Sequence, residues 1–381
     1  MKHFPENLPQ KLEQRIQNNP LRKLNDRSDL VDFSSNDYLG FSTSEAILEQ
    51  THQLLLEQNI TQNGATVSRL LSRNHSVYNL TEDFISKFHN SEASVIFNSG
   101  YDANVGFFSS VPQRGDFILY DELIHASIRD GVRLSTAKSF QFQHNDLEDL
   151  EEIILKYKSR DASIYIVTES IFSLDGDSPQ LEILAQLSEK HNCLLVIDET
   201  HSLGVFGENG EGLLQDLNLE QKIFARIVTF GNGLGGHGAV ILGSENLKQC
   251  LVDFAQSFID TAALSPHAVA IILTAYKNLK IQKEAIFKLR ENIAHFNQEK
   301  QLIGLKQIFV RSKSAIQSAI IPGNENVKTI ALKFQEKGFD VKAMLSPTVP
   351  EGQERLRICL HSFNSKEEIS NVLQLLASFL F

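Results

Sequence analysis

Seven apolar runs of four or five residues, at 93–97, 117–120, 140–143, 164–168, 194–198, 227–230 and 239–242, alternate with amphipathic stretches, and this narrows the available folds most. Runs this short and this apolar read as strands covered on both faces. The intervening stretches, clearest in "SVYNLTEDFISKFH" and "QLEILAQLSEKHN", carry helical periodicity and supply the cover. Strands joined by helices that return over the sheet give an α/β fold with a mostly parallel, seven-stranded sheet. After Pro266 the pattern changes to two long helices, "HAVAIILTAYKNLK" and "QKEAIFKLRENIAHFNQEKQ". "SAIQSAII", "GFDVKAML" and "RLRICLHSF" follow, separated and closed by further helices, as in an α+β domain with an antiparallel sheet. The expected organisation is an N-terminal arm over 1–45, a large α/β domain over 46–265 and a small C-terminal α+β domain over 266–381. No internal repeat or low-complexity segment interrupts it.

The 381 residues suffice for a large core and more than one domain. A formal charge of -11 would repel a phosphate backbone over most of the surface, and no run of Lys and Arg overrides it, so no nucleic-acid partner is expected. No apolar run approaches the roughly 18 residues that span a bilayer, and the opening "MKHFPENLPQ" has no apolar stretch, so no membrane association and a cytoplasmic location are expected. Cys193, Cys250 and Cys359 lie far apart and are odd in number, which suggests buried thiols rather than a disulfide framework or a metal site.

The stretch "VTFGNGLGGHGAV" admits two readings. Gly231, Gly233 and Gly236 stand at the G-x-G-x-x-G spacing of a dinucleotide loop. Such a loop follows a strand and opens a helix, whose N-terminus faces the pyrophosphate. Here the glycines run into "HGAVILGS", a further strand, so a hairpin turning at the favoured pair Asn232-Gly233 is expected instead. In "LLVIDETHSLGVFG" an apolar strand ends at Asp198, with His201 three residues on. A carboxylate at the C-terminal end of a buried parallel strand lies at the crevice where such sheets bind ligands. Asp198 either pairs there with a protonated pyridine nitrogen or caps the following turn, and this segment alone leaves both open.

Eight segments add to this evidence: "DFSSNDYLGFS", "NGATVSRLLSRNH", "FNSGYDANVGF", "DELIHASIRDG", "ESIFSLDGD", "VIDETHSLGVFGENGEGL", "VTFGNGLGGHGAVILGS" and "PTVPEGQERLRICLHSF". In this order, and over nearly the whole chain, they resemble the α-oxoamine synthase family of fold-type I pyridoxal-phosphate enzymes. The resemblance implies an aminotransferase-like fold, pyridoxal phosphate as cofactor, and decarboxylating acyl transfer from an acyl thioester to an amino acid. It further implies that backbone at Gly100 and Tyr101 holds the phosphate with Thr229, that His125 stacks on the ring, and that Asp198 pairs with its nitrogen. Ser173 and His201 would reach the phenolic oxygen, and Arg357 would hold the amino-acid carboxylate with Arg22 and Asn36 nearby. A homodimer is implied too, because "SFIDTAALSP" corresponds to a segment that reaches the partner's phosphate site.

The sequence departs from the family at the position that matters most. The family loop reads T-F-G-K-A-x-G, and its lysine binds the cofactor covalently and then moves a proton; Asn232 stands there instead. A carboxamide is neither nucleophilic nor basic at neutral pH, so Asn232 is not expected to be competent and covalent attachment is not expected. His237 is the nearest basic group in sequence, and Lys248 lies in a predicted helix beyond the next strand. Val67 and Arg73 occupy positions where the family has glycine, Gly233 replaces an alanine, Asp260 an aromatic residue and Ala262 a hydroxyl. Departures at so many positions point to a divergent paralogue with impaired or absent covalent catalysis, not to a chain altered at one site. The alternative is a non-catalytic ligand-binding or partner subunit of the same fold.

Overall fold

In the computed structural model, which describes residues 5, 7–18, 29–72, 74–158 and 161–381, the seven apolar runs form one sheet. Its strands are β1 (Ala93–Phe97), β2 (Phe117–Asp121), β3 (Lys138–Phe142), β4 (Ile164–Glu169), β5 (Leu194–Asp198), β6 (Ala225–Thr229) and β7 (Ala239–Gly243). Their order is β1-β7-β6-β5-β4-β2-β3, and β7 alone runs against its neighbours. The expected mostly parallel sheet is therefore present. Every residue of β1 and β4 is buried, as cover on both faces requires. Successive residues of β5 serve opposite faces. Val196 packs with Phe107, Ile128 and Val132 of the helices Gly100–Ser110 and Ala126–Leu134, and Ile197 packs with Leu150, Ile154 and Leu184 from the other side. β3 begins two residues before the expected run, because Lys138 and Ser139 pair with Phe117 and Ile118. Polar side chains on an edge strand leave no hydrophobic signal, yet they suit an edge that must not pair further.

Three antiparallel strands, β8 (Ile316–Ile320), β9 (Lys342–Met344) and β10 (Arg355–Cys359), form a second sheet in the order β9-β10-β8. The segment "GFDVKAML" is split between two sheets: Phe339–Asp340 pairs in parallel with Val31–Asp32, and Lys342–Met344 joins β10. The change of pattern at Pro266 coincides with a helix start, where the Ser265 hydroxyl accepts the Ala268 N–H at 3.1 Å. That helix, Pro266–Ile281, packs on the helices Glu45–Glu57 and Ser76–Phe88. Of the thiols, Cys359 is buried and Cys193 and Cys250 are only half-buried. Among the described residues, no helix is long and apolar enough to cross a membrane.

The glycine loop differs in detail from the expected hairpin. β6 and β7 do pair antiparallel, with Thr229 opposite Ala239. Asn232 and Gly233, however, lie inside a helical turn, Gly231–Leu234, within a longer connection. A two-residue turn needs left-handed backbone at its central residues; here Gly235 supplies it, at φ 60°. Close approach explains the glycines better than turn type does. A Cβ at Gly233 would stand 2.3 Å from the Leu203 carbonyl oxygen, and one at Gly235 would stand 2.2 Å from the Ser42 nitrogen.

Glu199 turns away from the sheet edge into the core, where Arg226 meets it. The Arg226 Nε–Glu199 Oε2 distance is 2.9 Å, and Nη1 donates to the His89 carbonyl at 3.0 Å. Glu199 Oε1 accepts the Ser202 hydroxyl at 2.8 Å and the Leu214 N–H at 3.0 Å, so both ions are buried and saturated with partners. Breaking such a pair strands a charge. Arg226→Met is therefore expected to cost about 3–5 kcal/mol in equilibrium urea unfolding, with part recovered in the Glu199→Leu/Arg226→Met double variant. A single-variant loss below about 1 kcal/mol would contradict this account.

Candidate active site

The parallel strands deliver their C-terminal residues to one edge, and a cavity of about 620 Å³ opens there. The register of β4 and β5 places Glu169 directly beside Asp198, and both carboxyls are buried and line the cavity. Two adjacent buried carboxyls cannot both ionise cheaply. Burial, and then the Asp198 charge, push the Glu169 carboxyl well above the usual carboxylate range. Asp198 also receives the donors that suit a charge: the Thr200 N–H at 2.9 Å and the Asn104 amide at 3.2 Å. Glu169 accepts the His125 N–H at 2.6 Å and the Ser173 N–H at 3.3 Å, and so joins the loop after β2 to the loop after β4.

Most of the expected site residues meet in this cavity: Asn36, Gly100, Tyr101, His125, Ser173, Asp198, His201, Thr229 and Arg357 all line it. Gly100 and Tyr101 open the eleven-residue helix Gly100–Ser110, and Ser99 caps it by accepting the Asp102 N–H at 3.0 Å. Thr229, at the end of β6, presses so closely on Gly100 that a Cβ there would lie 2.5 Å from its methyl carbon. His125 begins the next helix, its Nδ1 accepting the Ser127 N–H at 3.2 Å, and its side chain is exposed toward the opening. Arg357, on β10, donates from Nε to the Ser173 carbonyl at 2.8 Å and from Nη2 to the Asn36 side-chain oxygen at 2.9 Å. Both are neutral acceptors, so they aim the guanidinium without neutralising it. Arg22 and Arg73 lie outside the described residues.

His201 is buried against Tyr38, whose O–H stands 2.7 Å from Nδ1. The Asn232 amide lies 3.3 Å from the same nitrogen and donates to the Thr200 carbonyl at 3.3 Å. With two donors facing Nδ1, the imidazole proton resides on Nε2. Burial, followed by the charges of Arg357 and His125, lowers the His201 pKa to about 3, so the ring is neutral. Asn232 thus touches two cavity-lining residues without lining the cavity itself, and no lysine lines it among the described residues. His237 is exposed, and Lys248 is engaged by Glu82 at 3.3 Å. Asp260 and Ala262 do not line the cavity within this chain, and the Asn98 amide holds the Ala262 carbonyl at 2.6 Å.

Sequence reasoning passed over Tyr38, Asn104, Glu169 and Thr200. Each lies inside a segment that carries the family resemblance, but only the tertiary structure shows that Asn104, Glu169 and Thr200 line one cavity and that Tyr38 backs His201. Asn104 Oδ1 and Thr200 Oγ1 are buried with no partner among the described residues, so the cavity keeps polar groups in need of a ligand or water.

Residues 28–376 match the family model described as aminotransferase class I and II. The chain is 39% identical over 375 residues to an 8-amino-7-oxononanoate synthase from Emericella nidulans, covering 93% of this chain and 90% of that protein. It is 32% identical to an 8-amino-7-oxononanoate synthase from Chromohalobacter salexigens, with the same two coverages. Among solved structures it resembles the 8-amino-7-oxononanoate synthase of Francisella tularensis, with a TM-score of 0.78 and 28% identity over 92% of this chain and 98% of that one. The Sphingomonas wittichii serine palmitoyltransferase superposes with a TM-score of 0.88, covering 99% of this chain and 96% of that one, at 24% identity, which speaks for the fold alone. The mostly parallel seven-stranded sheet, the crevice at its carboxyl edge and these matches together establish a fold-type I architecture, and the chain belongs to the aminotransferase class I and II family.

Proposed function

We propose that this protein is an 8-amino-7-oxononanoate synthase-like acyltransferase that holds pyridoxal phosphate reversibly, and in which acyl transfer to an amino acid is impaired or absent. The carrying observation is the setting of Asn232. Its amide neighbours a neutral imidazole of pKa about 3, which is a poor base, and no lysine lines the cavity among the described residues. Positioned proton transfer commonly contributes about 10²–10⁴-fold, so losing the base is a large defect.

The remaining donor set fits the cofactor's non-covalent parts. The N-terminus of the Gly100–Ser110 helix and the Thr229 hydroxyl suit a phosphate, and the tight Gly100–Thr229 contact favours a residue without a Cβ there. Asp198 would hold a proton on the pyridine nitrogen, His125 would lie against a ring face, and His201 Nε2 and the Ser173 hydroxyl would reach the phenolic oxygen. The guanidinium of Arg357 would fork onto the amino-acid carboxylate, its Nε and Nη2 already anchored. When bound, pyridoxal phosphate supplies an electron sink for a carbanion at the amino acid's α-carbon. Acyl transfer would join that carbon to the acyl carbon, releasing the thiol and carbon dioxide. The second reading, a non-catalytic ligand-binding or partner subunit, rests on the same asparagine and differs in predicting no turnover at any cofactor concentration.

Equilibrium dialysis should give micromolar or weaker pyridoxal-phosphate affinity, and intact mass after borohydride treatment should match the unmodified chain. Submicromolar affinity, or a reduced covalent adduct, would overturn reversible binding. Asn232→Lys should yield a reducible adduct but not the rate of a lysine-bearing relative, because Val67, Asp260 and Ala262 remain. Steady-state turnover equal to that of such a relative would show these positions to be harmless. Sedimentation velocity at micromolar concentration should show a homodimer, the commonest symmetric assembly; a monomer there would remove that part of the proposal.

A further inference from the structure

We propose that His144 is a positioning residue that sets the spacing between the cavity walls carrying His125 and Ser173. The inference deepens the proposed function but rests on contacts outside the cofactor's own groups. The two walls are the loops that follow the neighbouring strands β2 and β4. His144 follows β3, at the sheet edge, and reaches both. Its Nδ1 lies 2.9 Å from Asp121 Oδ1, at the start of the His125 loop, and its Nε2 lies 2.8 Å from Asp177 Oδ2, in the loop that carries Ser173. The Asn145 amide also lies 3.0 Å from Nε2, but the nearer partner of each nitrogen is a carboxylate, which cannot donate, so both ring nitrogens donate and the ring is an imidazolium held between two anions. Burial lowers the His144 pKa, but the hydrogen bonds to Asp121 and Asp177 outweigh it and hold the group up at about 10. The bridge therefore stays charged at neutral pH.

Each arm leads to a cavity wall through short, defined contacts. Asp121 Oδ1 also accepts the Leu123 N–H at 2.8 Å, two residues before His125. The Asp177 carbonyl accepts the Phe172 N–H at 3.0 Å, which closes the Ser173 loop on itself, and the Asn145 amide adds a 2.8 Å bond to the Asp177 carboxylate. The Phe172 ring packs against the imidazolium in a T-shaped contact, with centroids 4.5 Å apart and planes at 82°. Glu169 already ties the same two loops from inside the cavity, through the His125 and Ser173 N–H groups. His144 ties them a second time from behind. Two independent ties across one gap fix its width, which a flat ligand between His125 and the opposite wall would sense.

Hydrogen–deuterium exchange on the full-length protein tests this without requiring turnover. His144→Gln keeps one donor and loses the charge, and should raise amide exchange about tenfold or more in both 122–126 and 171–177 while β2 and β4 stay protected. His144→Arg, a cation that can donate to both carboxylates, should restore protection in both loops to within about threefold. Asp177→Asn should loosen the 171–177 loop alone. Pyridoxal-phosphate affinity should fall about tenfold in His144→Gln and recover in His144→Arg. Unchanged exchange in both loops, or a uniform rise through the whole sheet, would overturn the positioning role. Should the wild-type protein bind no pyridoxal phosphate, the functional proposal fails while the exchange pattern still decides this one.

Discussion

One register constraint governs the site: β4 and β5 pair so that Glu169 and Asp198 end side by side at the carboxyl edge of a parallel sheet. In a buried crevice two adjacent carboxyls cannot both ionise cheaply, and burial, then the Asp198 charge, raises the Glu169 pKa despite the two N–H groups it accepts. Asp198 faces an amide and a backbone N–H from residues that line the cavity, and Glu169 spans the N–H groups of two loops. The pair therefore does two things. It supplies a single buried anion where a cationic ring nitrogen would sit, and it fastens the walls around that anion.

The four residues of "DETH" show how finely the fold divides adjacent side chains. Asp198 and His201 face the cavity, and Glu199 enters the core to meet Arg226. Thr200 gives the cavity a hydroxyl with no partner among the described residues and gives Asn232 its carbonyl. The ion pair beneath the site is saturated with hydrogen bonds, and the cavity above it is not. A rigid, satisfied base below an unsatisfied pocket is the arrangement expected of a preorganised ligand site, since the polar groups left over are those a ligand must satisfy.

Asn232 sits within this arrangement without straining it. Its amide has two acceptors within 3.3 Å, and the loop around it is fixed by contacts that do not involve the side chain: Gly233 against Leu203 and Gly235 against Ser42. In the proposed reading, a carboxamide where the family resemblance implies a lysine takes a nucleophile and base from an otherwise ordered loop. The neighbouring imidazole cannot take over, because burial and nearby positive charges keep it neutral and weakly basic. The proposed function makes binding and catalysis separable, since the groups that would grip a cofactor's phosphate, ring nitrogen and phenolic oxygen come from other strands and helices.

The sequence alone determined the parallel sheet and the change of pattern at Pro266, and its family resemblance implied that Asp198, His125, His201, Thr229 and Arg357 would meet, as they do around the cavity. Apolar run length and helical periodicity are local properties, and the site residues fall in motifs that can be read in order. Only the tertiary structure decided which way each side chain faces. Neither Glu169 nor Asn104 could be placed in the cavity without strand register and helix phase, and the charge state of Glu169 depends on Asp198, 29 residues away in sequence and adjacent in space. The same holds for the glycine loop, where Asn-Gly has the composition of a tight turn. The chain instead forms a helical turn there, and Leu203 and Ser42, remote in sequence, approach so closely that a Cβ at Gly233 or Gly235 would stand about 2 Å from their backbone atoms, a requirement for glycine that no local pattern announces.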